Sequence, residues 1–220
     1  MECRILTFKL PLPIASALAA FLGLSAPALA HPHVFVVVKS EVLFDGNGLV
    51  TGLRHAWTFD EMYSAFATTG INSGGQPATA AQLQRMAEQN VDELAAFGYY
   101  TVVKSPGQQI ELGRAEAISM SEDDRKLVTL RFTVPLKKPA SAGKALTLQV
   151  YDPTYFVSFD YAWDGVALVA AADGCTLDVS HPRALDDNES KKLTEAFFSG
   201  ISPGVDFGVK LASSALVACP

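Results

Sequence analysis

Between Val34 and Phe44 hydrophobic and polar positions alternate. Val34, Val36, Val38, Val42 and Phe44 fall on one face, and His33, Lys39 and Glu41 on the other. A period of two is the signature of a half-buried strand. Asp45-Gly46-Asn47-Gly48 follows, a hairpin signal because Gly and Asn accept the positive φ angles that a tight turn demands. A second strand then runs from Leu49 to Phe59, with Leu49, Leu53, Trp57 and Phe59 on one face. A two-residue turn at Gly46-Asn47 pairs residues whose numbers sum to 93, and one at Asn47-Gly48 pairs residues summing to 95. Either odd register places both apolar sets on one face, whereas an even sum opposes one strand's apolar set to the other's polar set. In the first odd register His33 faces Asp60 directly; in the second it faces Met62, with Asp60 diagonal.

The period turns helical from Asp60 to Ala67, where Phe59, Met62, Tyr63 and Phe66 share a stripe, and a polar loop, 69–77, follows. Thr79 with Gln82 three residues on forms a capping box, opening a helix to about Phe97 with the stripe Leu83, Met86, Ala87, Val91 and Leu94. Strand character returns over Gly98–Val103, Gln109–Ser119, Lys126–Pro135, Ala145–Tyr151, Tyr155–Tyr161 and Val166–Val169. A last helix is expected over Asp187–Ser199, and the tail 206–219 reads equally as strand or helix. The pattern predicts an α+β fold: a mainly antiparallel β-sheet or sandwich with a two-helix insertion at about 60–97 and a C-terminal helix. There is no internal repeat or linker, so one domain is expected over 31–220.

Composition changes the picture mainly at the ends. With 49% hydrophobic and 18% charged residues in 220, the chain has enough apolar material for a core. A formal charge of −6 without a Lys/Arg run argues against a nucleic-acid partner or an anionic membrane surface. Residues 1–30 read as a signal peptide: Arg4 and Lys9, an apolar stretch from Leu10 to Leu24, then Ala28-Leu29-Ala30 in the small-x-small cleavage pattern. The rival, a membrane anchor, needs roughly 20 uninterrupted apolar residues, and Pro11, Pro13 and Pro27 interrupt this segment. Cleavage removes Glu2, Arg4, Lys9 and Cys3, leaving the mature chain one unit more negative and with two cysteines, Cys175 and Cys219. An exported compartment is oxidising, which favours a disulfide between them over two buried thiols, with no stable membrane insertion expected after cleavage.

Cleavage also makes His31 the first residue, followed by Pro32 and His33, so a free amine and two imidazoles lie within three residues. Imidazole suits zinc, copper, nickel and cobalt, and in an extended segment His31 and His33 point the same way. Pro32 has no amide proton to lose, which blocks the square-planar chelate that a third-position histidine forms through backbone amides. Side-chain coordination by His31 and His33, with Asp60 as third ligand, survives. The competing reading is a frayed, solvated strand start. His55 shares the apolar face with Leu53 and Trp57 and reads as a core histidine, and His181 as a turn residue. The loop before Gln82 offers Asn72, Ser73 and Gln76 but no carboxylate, so no calcium is expected. Asp152 in Tyr151-Asp152-Pro153 reads as a turn capped by its own side chain. G-x-S-x-G, H-E-x-x-H and a phosphate-cradling loop are missing from the sequence, so no enzyme is expected.

Three motifs, His31-Pro32-His33-Val34, Trp57-Thr58-Phe59-Asp60-Glu61-Met62-Tyr63-Ser64 and Tyr151-Asp152-Pro153-Thr154-Tyr155-Phe156, together resemble a bacterial domain-of-unknown-function family described as the periplasmic component of an uncharacterised ABC-type transport system. The resemblance spans His31 to about Cys175. It implies transition-metal handling, since family members are often encoded beside nickel/cobalt-type permeases or exporters. It also implies an acidic loop between the two helices, from which Ile71-Asn72-Ser73-Gly74-Gly75-Gln76 departs. The expected function is that of a periplasmic binding or accessory component holding a divalent transition metal (nickel, cobalt, zinc or copper) through His31, His33 and Asp60, with an inner-membrane permease or exporter as partner. The alternative is a metal-free module that docks on such a permease.

Overall fold

A computed structural model describes residues 32–71, 77–183, 186–189, 191–192 and 207–220. The leader 1–30, His31, loop residues 72–76 and most of the helix expected over 187–199 lie outside the described residues; of that helix, 187–189 and 191–192 are helical. Residues 31–220 form one compact unit.

Two sheets carry the unit. The larger contains β1 (Val34–Phe44), β2 (Leu49–Phe59), β4 (Glu116–Glu122), β5 (Val128–Ser141) and β7 (Val157–Val169), in the order β4-β5-β2-β1-β7. The smaller contains β3 (Thr101–Lys104), β6 (Leu146–Val150), β8 (Thr176–Ser180) and β9 (Ser214–Ala218), in the order β3-β6-β9-β8. Val36, Val38, Trp57, Leu130 and Phe132 of the first sheet belong to one buried cluster with Val103, Leu146, Leu148, Ala215 and Val217 of the second. The sheets therefore pack face to face, each contributing one apolar face. Pairing is antiparallel except for β1 with β7, which is parallel. The α+β class thus holds, with two helices, α1 (Glu61–Thr68) and α2 (Ala80–Ala95), between β2 and β3. Thr79 and Gln82 form the expected reciprocal cap, and Leu83, Ala87 and Val91 are the buried stripe of α2.

The hairpin chooses the second of the two odd registers. Val38 pairs with Trp57 and Ser40 with His55, so partners sum to 95 until a bulge at Leu43/Phe44. Asp45 builds the turn, accepting the Asn47 and Leu49 amides at 2.9 Å each.

Four expectations need correction. The strand expected over Gln109–Ser119 is reduced to isolated bridges at Gln109 and Leu112 before β4, because it runs beside Pro135, which has no amide proton to donate. The strand expected from Gly98 starts only at Thr101: Gly98, Tyr99 and Tyr100 have φ of 58°, 55° and 47°, a left-handed turn. The segments expected at 155–161 and 166–169 are one strand, β7, bulged opposite Lys39. At that bulge a Cβ on Gly165 would lie 2.6 Å from the Ala162 carbonyl oxygen, so only glycine fits. β8, not expected from the sequence, is an edge strand whose alternate residues Thr176, Asp178 and Ser180 are exposed. The tail is both helix and strand in turn: α3 (Phe207–Lys210), then β9 with Ala215 and Val217 buried. Among the described residues no helix is long and apolar enough to cross a membrane.

Candidate functional site

The three motifs, more than 90 residues apart at their extremes, meet at the end of the large sheet where β1 begins. Asp152 organises the third motif. It is 4% exposed, and its Oδ1 accepts the Thr154 amide and hydroxyl, each at 2.8 Å. Its Oδ2 accepts the Phe156 and Val157 amides at 3.0 and 3.1 Å. Four donors on one carboxylate hold a loop in which Tyr155 has a φ of 57°. Gly208 of α3 packs on the same loop so closely that a Cβ there would overlap the Asp152 carbonyl. The Asp152 charge also reaches Tyr100, whose hydroxyl is held above its usual range first by burial and then by that carboxylate.

The loop receives the N-terminal segment. His33 donates its amide to the Phe156 carbonyl at 2.9 Å, and the two rings lie 4.8 Å apart. Two residues on, Phe35 donates its amide to Asp60 Oδ2 at 2.7 Å, while the Asp60 amide donates to the Phe35 carbonyl at 3.0 Å. Asp60 Oδ1 accepts the Tyr63 amide at 2.8 Å and so caps α1, as an acidic residue at a helix start does. Asp60 thus stands opposite Phe35 and diagonal to His33, and each of its oxygens already accepts one amide. A carboxylate oxygen has a second lone pair, so this leaves acceptor capacity on each. Among the described residues, no group of three or more His, Cys, Asp or Glu side chains is assembled; His31, the remaining expected ligand, lies outside them.

The outer face of β1 departs from the alternation expected of a sandwich. Phe35 and Val37 are 51% and 49% exposed although β1 lies inside the sheet rather than at its edge. Phe156, Met62, Phe66 and Trp163 are exposed as well. The signal was in the sequence: Val34-Phe35-Val36-Val37-Val38 is apolar on both faces, which alternation arguments centred on the inner set pass over.

His55 occupies the opposite, inner face of the same hairpin. It is 1% exposed and packs against Trp57 and Phe132. Ser40 Oγ lies 2.8 Å from His55 Nδ1, and Thr101 Oγ1 lies 3.4 Å from Nε2. The Thr101 hydroxyl proton goes to the Tyr99 carbonyl at 2.8 Å, so Thr101 can only accept from His55. The neutral ring therefore carries its proton on Nε2 and accepts the Ser40 hydroxyl at Nδ1. Burial lowers the His55 pKa to about 3. Sequence reasoning missed Ser40 and Thr101; the first lies 15 and the second 46 residues from His55, with no local pattern to join them. A serine and histidine at this distance have the separation of nucleophile and base, yet both are sealed between the sheets. His181, read as a turn residue, contacts Ser213 Oγ through Nδ1 at 3.2 Å.

Cys175 and Cys219 form the expected disulfide across the end of the β8–β9 ladder, 44 residues apart in sequence. Such a bond belongs to an oxidising compartment.

The family described as "Protein of unknown function (DUF1007)" matches residues 16–219, and the chain belongs to that family. An uncharacterized protein of Haemophilus influenzae is 25% identical over 207 residues, covering 90% of this chain and 95% of its own length. The family resemblance seen in the three motifs holds at that level.

Proposed function

We propose that the protein is a periplasmic binding and accessory component of a transport system, reached through a cleaved leader, and that its N-terminal end takes a divalent transition metal through His31 and His33 with Asp60 beside them. The observation that supports this most is the bond from the Phe35 amide to Asp60 Oδ2 at 2.7 Å. It fixes a carboxylate opposite Phe35, two residues on from His33. The His33 amide bond to Phe156 anchors the strand start on its other side, which counters fraying. Imidazole nitrogens and a carboxylate are a suitable set for zinc, nickel, cobalt or copper. No catalytic role is assigned. Calorimetric titration of correctly processed protein with each metal, against a His31→Ala/His33→Ala variant, tests the reading: tight binding lost in the variant is expected, and equal affinity in both overturns it.

The exposed Phe35, Val37 and Phe156 favour a second reading, a module that docks on a membrane permease without metal. Capture of a permease that persists in chelator favours it over the first.

A further inference from the structure

We propose that the outer face of the large sheet around Phe35 and Val37 binds a cationic polypeptide segment with apolar side chains on one side. This rests on the docking reading and gives it its partner chemistry; it shares Asp60 with the metal reading. The register defines the surface. Across β2, β1 and β7, one row is Asp60, Phe35 and Ser158, and the next is Thr58, Val37 and Asp160. Two large apolar side chains, each about half exposed, thus sit in the middle of a sheet, each with a carboxylate directly alongside.

Charge selects the occupant. Some surface carboxylates have cationic partners: Lys39 with Asp164 at 3.0 Å, Arg54 with Glu41, Arg114 with Asp92 at 3.1 Å and Lys137 with Glu111 at 3.2 Å. Among the described residues no Lys, Arg or His forms an ion pair with Asp60, Glu61 or Asp160. The nearest cation along β1, Lys39, is already held by Asp164. Among the described residues the Asp160 carboxylate accepts only the Ser158 hydroxyl, at 3.3 Å. An apolar patch rimmed by carboxylates that have no cation among the described residues is complementary to a segment that brings Lys or Arg to the rim and aliphatic or aromatic side chains to the centre. An acidic segment, or a second copy of this negatively charged face, meets repulsion there.

The test is fluorescence anisotropy in chelator, with a labelled amphipathic peptide of lysine and leucine and a matched one of glutamate and leucine. Wild type is expected to bind the first and not the second, and to lose affinity as salt rises. Phe35→Ser and Asp160→Asn are each expected to weaken binding by about fivefold or more, with melting curves that show both variants folded. Equal binding by wild type and both variants, or equal binding of the acidic peptide, overturns the proposal. So does sedimentation of wild type as a dimer that Phe35→Ser dissociates, since the occupant is then a second copy. Capture of a permease unaffected by Phe35→Ser removes this surface while leaving the docking reading intact.

Discussion

Both faces of the β1–β2 hairpin carry exceptions to the usual division between inside and outside. On the inner face Ser40 and His55 are polar and buried, and each has a partner. On the outer face Phe35 and Val37 are apolar and exposed, beside carboxylates that have no cation among the described residues. A buried polar group with its hydrogen bonds made is a closed local structure, so His55 explains itself within the fold. An exposed apolar pair with such carboxylates alongside is an open one. The histidine that packing conceals has its partners within the fold, and the residues that packing leaves exposed are where the proposed partner would dock.

Breaking the end that presents the outer face should have the largest effect on stability. Asp152→Ala leaves the Thr154, Phe156 and Val157 amides without their acceptor and is expected to cost about 3 kcal/mol, read by urea unfolding. Acid acts on the inner face. With a folded pKa of about 3 against an ordinary 6.5, His55 takes a proton only on unfolding between those values, so its contribution to stability is complete above about pH 6.5 and falls as pH drops through the window. Between pH 7 and pH 5 wild type should lose about 2 kcal/mol more than His55→Gln; parallel curves for the two proteins would remove the solitary buried base from the account.

Asp60→Ala comes next, removing the cap of α1 and the acceptor of the Phe35 amide, for about 1–2 kcal/mol. Smallest of all is Phe35→Ser, expected within about 0.5 kcal/mol of wild type because the side chain is half in solvent already. A loss of several kcal/mol there would make Phe35 a core residue and erase the contrast between the faces.

Much of this was legible because β periodicity is a local rule. Val34 to Phe44 and Leu49 to Phe59 declared their inner faces, and the requirement that those faces meet excluded half of the registers. Choosing 95 over 93 depended on how Asp45 binds the Asn47 and Leu49 amides, a detail of turn geometry. The caps at Thr79 and Asp152 were visible because donor and acceptor lie a few residues apart. Beyond that range the sequence was silent. Thr101 reaches His55 from the other sheet, β1 pairs with β7 across more than a hundred residues, and Asp160 stands beside Val37 only through that parallel pairing. The outer patch is a product of topology: alternation centred on the inner set passed over Phe35 and Val37, the hairpin register brought Asp60 alongside, and Asp160 lay beyond the reach of any single strand.

Histidine ring spectra of processed, ¹⁵N-labelled protein during zinc titration test the central contrast most directly. The account predicts that the ring signals of His31 and His33 shift with added metal while those of His55, protonated on Nε2, do not move from pH 7 to pH 5 or with zinc. Unmoved His33 signals at saturating zinc, or a His55 ring that responds to the metal, would contradict it.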